Sequence, residues 1–208
     1  MDHRARQRRE WPAIEEHLPP RARRASLALL ETLPIIVRVT RPRRSKHGDH
    51  RLSQCGKFHE ITVNSGTNPY QFLITFLHEI AHALSVIHHG PRVPMHGRIW
   101  KRYFGQLLAD FVTLEAFPPD LAVAIHQYSL SPTYSSSTDT ALQRALRAFD
   151  TSEQKPLVEE LRPGTRFKLH GPQVFIKGPL LRKHFRCTTE QGQIYRVAAS
   201  ARVEQILE

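Results

Sequence analysis

Cysteine is scarce in this chain, because only Cys55 and Cys187 occur among 208 residues and neither belongs to a CxxC pair. A disulfide framework needs several spaced cysteines, and a four-cysteine zinc ribbon needs two CxxC pairs, so both are excluded. A single bridge between the two residues would join distant segments. We expect two unrelated, reduced thiols instead.

Acidic residues are also few, since 19 Asp and Glu stand against 30 Lys and Arg. The formal net charge is +11 and the pI is near 10.3. This balance is typical of proteins that approach polyanions, and nucleic acid is the first candidate. Charge alone does not decide the matter, because a soluble protein can carry a basic surface without any nucleic-acid partner.

No long apolar run follows the N-terminal residues MDHRARQRREW. The later stretch LALL (Leu27–Leu30) is too short to span a bilayer, and Glu31 follows it. The pattern predicts neither a signal peptide nor a membrane span. We therefore expect a cytoplasmic protein without a membrane partner, whose oligomeric state the sequence does not indicate.

Composition divides the chain into a basic tail at residues 1–10, a main domain at 11–150 and a small C-terminal unit at 151–208. The main domain is predicted to be mostly helical, and the basic stretch Arg41–Arg51 is predicted to be a loop. Helices are predicted at Pro12–His17, Arg21–Leu33, Tyr70–His88, from Met95 or His96 to Pro118, Pro119–Tyr128 and Ala141–Asp150, and strands at Ile35–Thr40 and His59–Asn64.

The C-terminal unit has a different pattern. The runs TRFKLH, QVFIKG, FRCTTE and QIYRVA are rich in aromatic and β-branched residues and are separated by polar or Gly-Pro turns. They predict an antiparallel β-unit of three to five strands within residues 161–207. The expected fold class is α+β: a helical core with a small antiparallel sheet, followed by this small β-unit.

The stretch FLHEIAHAL, Phe76–Leu84, contains two histidines four residues apart, with a glutamate directly after the first. Four helical residues turn the chain by about 400°, so His78 and His82 point the same way, one turn apart. Two imidazoles in this arrangement can bind one metal ion. Glu79 lies about 100° further round the helix, where it can contact a water beside the metal. This is the HExxH pattern of zinc proteases, in which the glutamate acts as general base and acid.

Chance is the competing explanation for the motif, because the chain contains 13 histidines. Two observations weigh against it. The motif lies on a strongly predicted helix, for which Asn68 is the expected N-cap and Pro69 the first residue. The surrounding residues are apolar, and an unpaired imidazole or carboxylate would be costly among them. We therefore predict a zinc site.

The third protein ligand has several candidates. His88 stands ten residues after His78, as in the metzincin pattern HExxHxxGxxH, but Ser85 occupies the position of the glycine that turns the chain. Asp110 and Glu115 belong to a later helix, where each is more simply explained as a surface acid. These three residues stay as alternatives.

His96 is the favoured third ligand. It follows a loop rich in glycine and proline and precedes a predicted helix, so it can be directed back at the motif helix. Gly97 permits close approach at this point. Trp100 and Phe104 are expected to pack the following helix into the core.

HEIAHAL followed by HGRIWKRYFGQLL resembles the SprT-like metalloprotease family, whose pattern is HExxH, a variable loop, and a histidine–glycine pair with an aromatic residue on the next helix. ITVN…NPYQFLITFLHE also resembles the family's strand and motif helix, and the resemblance covers roughly residues 33–117. It implies a zincin-like core, Zn²⁺ held by His78, His82 and His96, and Glu79 as the catalytic acid/base.

The resemblance also implies a link with DNA. Eukaryotic relatives degrade proteins crosslinked to DNA, and bacterial relatives have been linked with transcription elongation. Several relatives end in a cysteine zinc ribbon, which this chain lacks, so contacts through the ribbon do not carry over. Candidate replacements are basic residues of the loop and the C-terminal unit: Arg41, Arg43, Arg44, Lys46, Arg162, Arg166, Lys168, Lys177, Arg182, Lys183 and Arg186.

The leading hypothesis is a zinc metalloendopeptidase that acts on DNA-associated proteins. The alternative is a non-proteolytic, transcription-related nucleic-acid-binding protein whose zinc is structural; such a site would have four protein ligands and no use for Glu79. A metal-free scaffold is a weaker third hypothesis. Tyr103 and His89 are weak candidates for the residue that stabilises the oxyanion. An extended substrate is expected to pair with an edge strand, which the sequence does not identify.

Overall fold

The computed structural model describes residues 3–43, 46–134, 136, 139–150 and 155–207. Within these residues the fold is α+β, as predicted. The helices are α1 His3–His17, α2 Arg23–Thr32, α3 Pro69–His89, α4 Arg98–Thr113, α5 Pro119–Ser129 and α6 Thr140–Arg147. The strands are β1 Ile35–Thr40, β2 Gly48–Leu52, β3 His59–Asn64, β4 Arg166–Lys168, β5 Val174–Leu180, β6 His184–Thr189, β7 Ile194–Ala198 and β8 Gln205–Leu207.

The first sheet has three strands in the order β1-β3-β2 and is mixed. Strands β1 and β3 are parallel, with Ile35 opposite His59, whereas β2 and β3 are antiparallel, with Gly48 opposite Val63. The prediction of an antiparallel sheet is therefore wrong for β1 and β3. The first three residues of β1 are all buried. Such a continuous apolar run is typical of a strand covered on both faces, as parallel strands usually are.

Strand β2 lies mostly where a loop is predicted, and the prediction is wrong for residues 48–51. The strand forms one edge of the sheet and runs beside helix α3. Its sequence, GDHRL, has one apolar residue and no β-branched residue, so it lacks the usual strand pattern. Polar side chains are common on edge strands because they discourage pairing with other chains.

Helix α1 occupies most of the predicted basic tail, so that prediction is wrong for residues 3–10. The helix packs against β1, and the side-chain oxygen of Gln7 accepts a hydrogen bond from the backbone N–H of Val37 at 2.6 Å. The first apolar side chain buried from this helix is Ile14. Residues 3–10 therefore show no apolar stripe, because they contact the sheet through polar groups: the amide of Gln7 and the ion pairs Arg6–Glu60 and Glu10–Arg38.

Helix α3 is the central element of the main domain. The side chain of Asn68 accepts a hydrogen bond from the N–H of Gln71 at 2.9 Å, and Pro69 is the first helical residue, as predicted. The helix packs against α4, β2 and β3. By length and composition α3 could cross a membrane, but 72% of its apolar segment is buried inside the protein, as expected of a core helix.

Helix α4 packs against α3, α5 packs against α4, and α6 packs against α5. Helix α4 begins at Arg98, two to three residues later than predicted, because Gly97 is its N-cap and His96 lies in the preceding turn. Trp100 and Phe104 are fully buried, as predicted. From the sequence, either Thr138 or Asp139 is expected to cap α6. Asp139 does so by accepting a hydrogen bond from the N–H of Leu142, and Thr138 lies outside the described residues.

The C-terminal unit is a five-stranded antiparallel sheet in the order β7-β6-β5-β4-β8, as predicted. Its buried residues form a cluster within 158–203, separate from the cluster of the main domain within 14–146. Side-chain ion pairs join the two parts of the chain: Arg144–Glu159, Arg147–Glu160 and Arg202–Asp150. The cysteines are free, Cys55 exposed and Cys187 buried.

Lys177 is buried in the C-terminal unit, so the prediction that it contributes to a DNA-binding surface is wrong. Only 5% of the residue is exposed. Its Nζ donates hydrogen bonds to the carbonyl oxygens of Glu159 at 3.1 Å and Leu161 at 2.6 Å. The same atom lies 4.0 Å from the centroid of the Phe185 ring. The ammonium group is therefore occupied by contacts inside the protein.

Replacing Lys177 with Met should lower the free energy of unfolding by about 1–3 kcal/mol, because two buried carbonyl oxygens lose their donor. Denaturant unfolding measures this change. The control is Lys183→Met in the same unit, whose exposed side chain should alter stability by no more than about 0.5 kcal/mol. Equal effects of the two substitutions would contradict the role given to Lys177.

Candidate metal centre

Three histidines meet at the junction of α3 and α4. His78 and His82 lie one turn apart on α3, and His96 reaches them from the turn before α4. Their Nε2 atoms form a triangle. The distance is 3.2 Å between His78 and His82, 3.0 Å between His82 and His96, and 3.2 Å between His96 and His78. The structure thus brings the favoured third ligand to the two histidines of the motif.

Hydrogen bonds cannot satisfy this triangle. Each ring nitrogen carries either one proton or one lone pair, so at least two of the three nitrogens must have the same role. A cation is attracted to all three lone pairs at once. An ion about 2.0–2.1 Å from each nitrogen would make N–metal–N angles of about 91–106°, within the range of a distorted tetrahedral site. The group could therefore hold a metal ion.

The electrostatics of the group also suit a cation. Burial lowers the pKa of His78 to about 3, and the neighbouring His96 contributes. Burial likewise lowers the pKa of His82 to about 3, with smaller contributions from the surrounding histidines. Burial also lowers the pKa of His96. All three imidazoles are consequently neutral at physiological pH, the form in which histidine coordinates metals.

Trp100 contacts all three histidines. Its ring centroid lies 4.7 Å from that of His78, 5.3 Å from His82 and 4.7 Å from His96. Its indole Nε1 donates a hydrogen bond to the backbone carbonyl oxygen of His78 at 3.3 Å. The predicted role of Trp100 in the core is therefore accompanied by a direct contact with each member of the group.

His96 has a backbone conformation that few residues adopt. Its φ is 57°, in the left-handed region, which costs a non-glycine residue about 1–2 kcal/mol. The carbonyl oxygen of Pro94 lies only 3.1 Å from where a Cβ would stand on Gly97. This tight turn directs the imidazole back towards α3, and a side chain at position 97 would require the Pro94 carbonyl to shift slightly.

Glu79 lies beside the three histidines and faces strand β2. Only 6% of the residue is exposed, and burial raises the pKa of its carboxyl group to about 8, with Asp49 adding to the effect. A Cβ placed on Gly48 would stand 2.4 Å from the Glu79 carboxylate oxygen Oε1 and 2.8 Å from Cγ2 of Thr75. The missing side chain at position 48 therefore lets the strand approach the helix closely and confines the carboxylate.

The centre opens into a cleft of about 420 Å³. One wall is strand β2, and the opposite wall is the loop that leads from α3 to His96. Leu52, Val86, Val93, Pro94 and Met95 make part of the lining apolar. The cleft is large enough for a few residues of an extended chain, with the three histidines and Glu79 at its base.

The alternative third ligands lie elsewhere. His88 is exposed and stacks on Tyr103, with ring centroids 5.8 Å apart. Asp110 accepts a hydrogen bond from Gln106 at 2.8 Å on the outer surface of α4. Glu115 forms an exposed ion pair with Arg21. In the described residues none of these groups joins the histidine cluster.

The two weak candidates for an oxyanion-stabilising residue also lie outside the cleft. Tyr103 and His89 form a hydrogen bond with each other at 3.4 Å on the surface. Tyr134 lines the cleft instead, as does His50 of β2. The His50 Nε2 lies 2.8 Å from Nδ1 of buried His59, and its ring is parallel to that of His82. Neither residue was predicted, because His50 belongs to the predicted loop Arg41–Arg51 and Tyr134 lies between two predicted helices.

Comparisons of the chain with protein-family models, with curated proteins and with solved structures found no match. The resemblance to the SprT-like family therefore stays a prediction. It depends on the order and spacing of HEIAHAL and MHGRIW. The geometry of the three histidines and Glu79 is the stronger basis for a functional proposal.

Replacing His96 with Ala should weaken zinc binding by at least about 100-fold, because a site with two protein ligands has lost a third of its donors. His88→Ala is the matched control and should leave the affinity unchanged, since His88 is exposed outside the group. Competition titration with a chelating dye measures both affinities. A site that depends on His88 rather than His96 would contradict the arrangement described above.

Proposed function

We propose that the chain is a zinc-dependent metalloendopeptidase that hydrolyses peptide bonds in proteins associated with DNA. The observation that carries this proposal is the triangle of three neutral imidazole nitrogens with a buried carboxyl group beside it, at the base of an open cleft. Three protein ligands leave a fourth position for water or substrate, which is typical of catalytic zinc sites.

Zinc is the metal that best fits the donor set. Neutral imidazole also suits copper, nickel and iron, but tetrahedral sites with three histidines are characteristic of zinc enzymes. When bound, zinc would lower the pKa of a coordinated water to about 7 and polarise the carbonyl group of the substrate. His78, His82 and His96 would hold the ion, and Trp100 would keep their rings in position.

Glu79 has the position and the pKa of a proton carrier. Its carboxylate would accept a proton from the attacking water and later donate it to the nitrogen of the leaving amine. Burial raises the pKa of this carboxyl to about 8 in the metal-free site, and the positive charge of a bound ion would lower it again and favour the carboxylate form that accepts the proton. Gly48 confines the carboxylate from the strand side, so that it stays beside the histidines rather than turning away.

Strand β2 offers a place for the substrate. One of its backbone edges pairs with β3, and it is the terminal strand of the sheet. Its residues Gly48–Leu52 all line the cleft. An extended polypeptide can add to such an edge through main-chain hydrogen bonds, which would place a peptide bond near the histidines with little regard to its sequence.

The resemblance to the SprT-like family supports the same proposal. It would make the helical core zincin-like, and it is the source of the expectation that substrates are DNA-associated proteins. The alternative function, a nucleic-acid-binding protein with structural zinc, is favoured by the net charge of +11. It gives no role to Glu79, and in the described residues the cluster has three ligands rather than four.

Glu79→Gln should abolish peptidase activity while preserving the metal site. We expect cleavage of an unfolded protein substrate to fall by about 100-fold or more, because the amide cannot carry the proton. Zinc content should stay near one equivalent per chain. Gel-based cleavage assays and metal analysis measure the two effects. Unchanged cleavage would rule out the proposed mechanism.

Gly48→Ala should reduce activity by about tenfold or more, because the added methyl group displaces the Glu79 carboxylate while the histidines are untouched. Gly56→Ala is the matched control in the turn after β2. It strains a backbone with φ 69° but has no atom within 4 Å of the added methyl group. This control should lose stability and keep the specific activity. Equal losses of activity in the two variants would show that the close approach at Gly48 does not matter.

A further inference from the structure

The outer face of the C-terminal sheet carries a group of cations. Side chains alternate along β6, where Phe185, Cys187 and Thr189 are buried and the residues between them face outwards. The pairing of β6 with β5 and β7, and of β5 with β4, places further side chains on this outer face of the sheet. We call it the basic face and define it by Arg166, Lys168, Arg186 and Arg196, with Ile176 and Ile194 between them.

Arg186 and Arg196 stand directly opposite each other on adjacent strands. Like charges in this position destabilise a pair of strands, and an acidic residue on either strand would remove the cost. In the described residues neither arginine forms an ion pair; on this face only Arg166 does, with Glu190. The sheet thus keeps an unfavourable arrangement of charge, which favours a role in binding over a purely structural one.

The basic face is open to solvent. Both opposed arginines are exposed, and so is 58% of Ile194. Neighbouring strands lie about 4.8 Å apart, so the cations on β7, β6 and β4 extend over about 14 Å. Duplex DNA of that length carries about eight phosphate charges, at one per 1.7 Å of axis. An acidic peptide would present a single line of charge, whereas these cations cover an area of the sheet.

We propose that the basic face binds the sugar–phosphate backbone of nucleic acid. Arginine suits this role because its guanidinium group can donate two parallel hydrogen bonds to one phosphate. The isoleucines between the cations can contact sugars and bases. Binding should be independent of sequence and weakened by salt. This site does not require the metal centre, and it relates to the proposed function only by bringing the peptidase close to DNA-associated substrates.

The test is binding of the full chain to short duplex DNA of mixed sequence, measured by fluorescence anisotropy at low and moderate salt. Arg196→Glu should weaken binding by about tenfold or more. It should also reduce the slope of log K against log salt concentration by about one. Arg24→Glu is the control, because it changes the net charge equally on an exposed position of α2. The control should weaken binding less than about twofold.

A melting curve separates binding from folding. Arg196→Glu places an acid opposite Arg186, so its melting temperature should equal or exceed that of the natural chain. Loss of DNA binding without loss of stability is the result that supports the proposal. Arg186→Ala, which removes one cation without adding an acid, should weaken binding in the same direction.

Three results would overturn the proposal: no binding of DNA, binding that does not respond to salt, or equal weakening by Arg196→Glu and Arg24→Glu. A membrane is the other anionic surface to test, because Leu180 and Leu181 are exposed beside two cations at the β5–β6 turn. Binding of phosphatidylserine vesicles without binding of DNA would also overturn it. None of these results affects the cleavage assay of Glu79→Gln, so the two proposals fail separately.

Discussion

Three uncharged imidazole rings held with their Nε2 atoms 3.0–3.2 Å apart are the constraint on which the rest of the site depends. Such a group is costly without a shared cation, because its nitrogens cannot all be hydrogen-bonded to one another. The surrounding structure enforces it. Helix α3 supplies two rings at fixed spacing, a turn in a left-handed conformation supplies the third, and Trp100 packs against all of them.

The same junction fixes the remaining parts of the site. Because α3 is buried on nearly all sides, its position relative to the sheet leaves little freedom for Glu79. Strand β2 then approaches so closely that only glycine fits at position 48. A single edge strand therefore has two uses in the proposed function. It confines the carboxylate from one side, and its unpaired backbone is available to an extended substrate.

Much of this site could be predicted from the sequence, because it depends on regular spacing. Because His78 and His82 are four residues apart, a helix places them on the same face. The caps at Asn68 and Asp139 mark where helices begin. His96 could be favoured because a glycine follows it and a helix begins soon after. These inferences use local rules that do not require knowledge of the tertiary contacts.

Other parts depend on contacts that leave no periodic pattern. Strand β2 is an edge strand with mostly polar residues, so its sequence pattern predicts a loop. The role of Gly48 depends on its contact with Glu79, which lies 31 positions later in the chain. The first half of helix α1 contacts the sheet through the amide of Gln7 and two ion pairs, and apolar burial begins only in its second half. The ammonium group of Lys177 donates hydrogen bonds to two carbonyl oxygens inside the protein, whereas most lysines are exposed, so its burial could not be predicted.

The proposed function requires that the three histidines form an open, catalytic type of metal site. X-ray absorption at the zinc edge of the zinc-loaded protein tests it most directly, because it reports the number and type of the ligands. We expect three imidazole nitrogens and one water oxygen at about 2.0–2.1 Å from the zinc. A fourth imidazole, a sulfur ligand or the absence of bound zinc would contradict it.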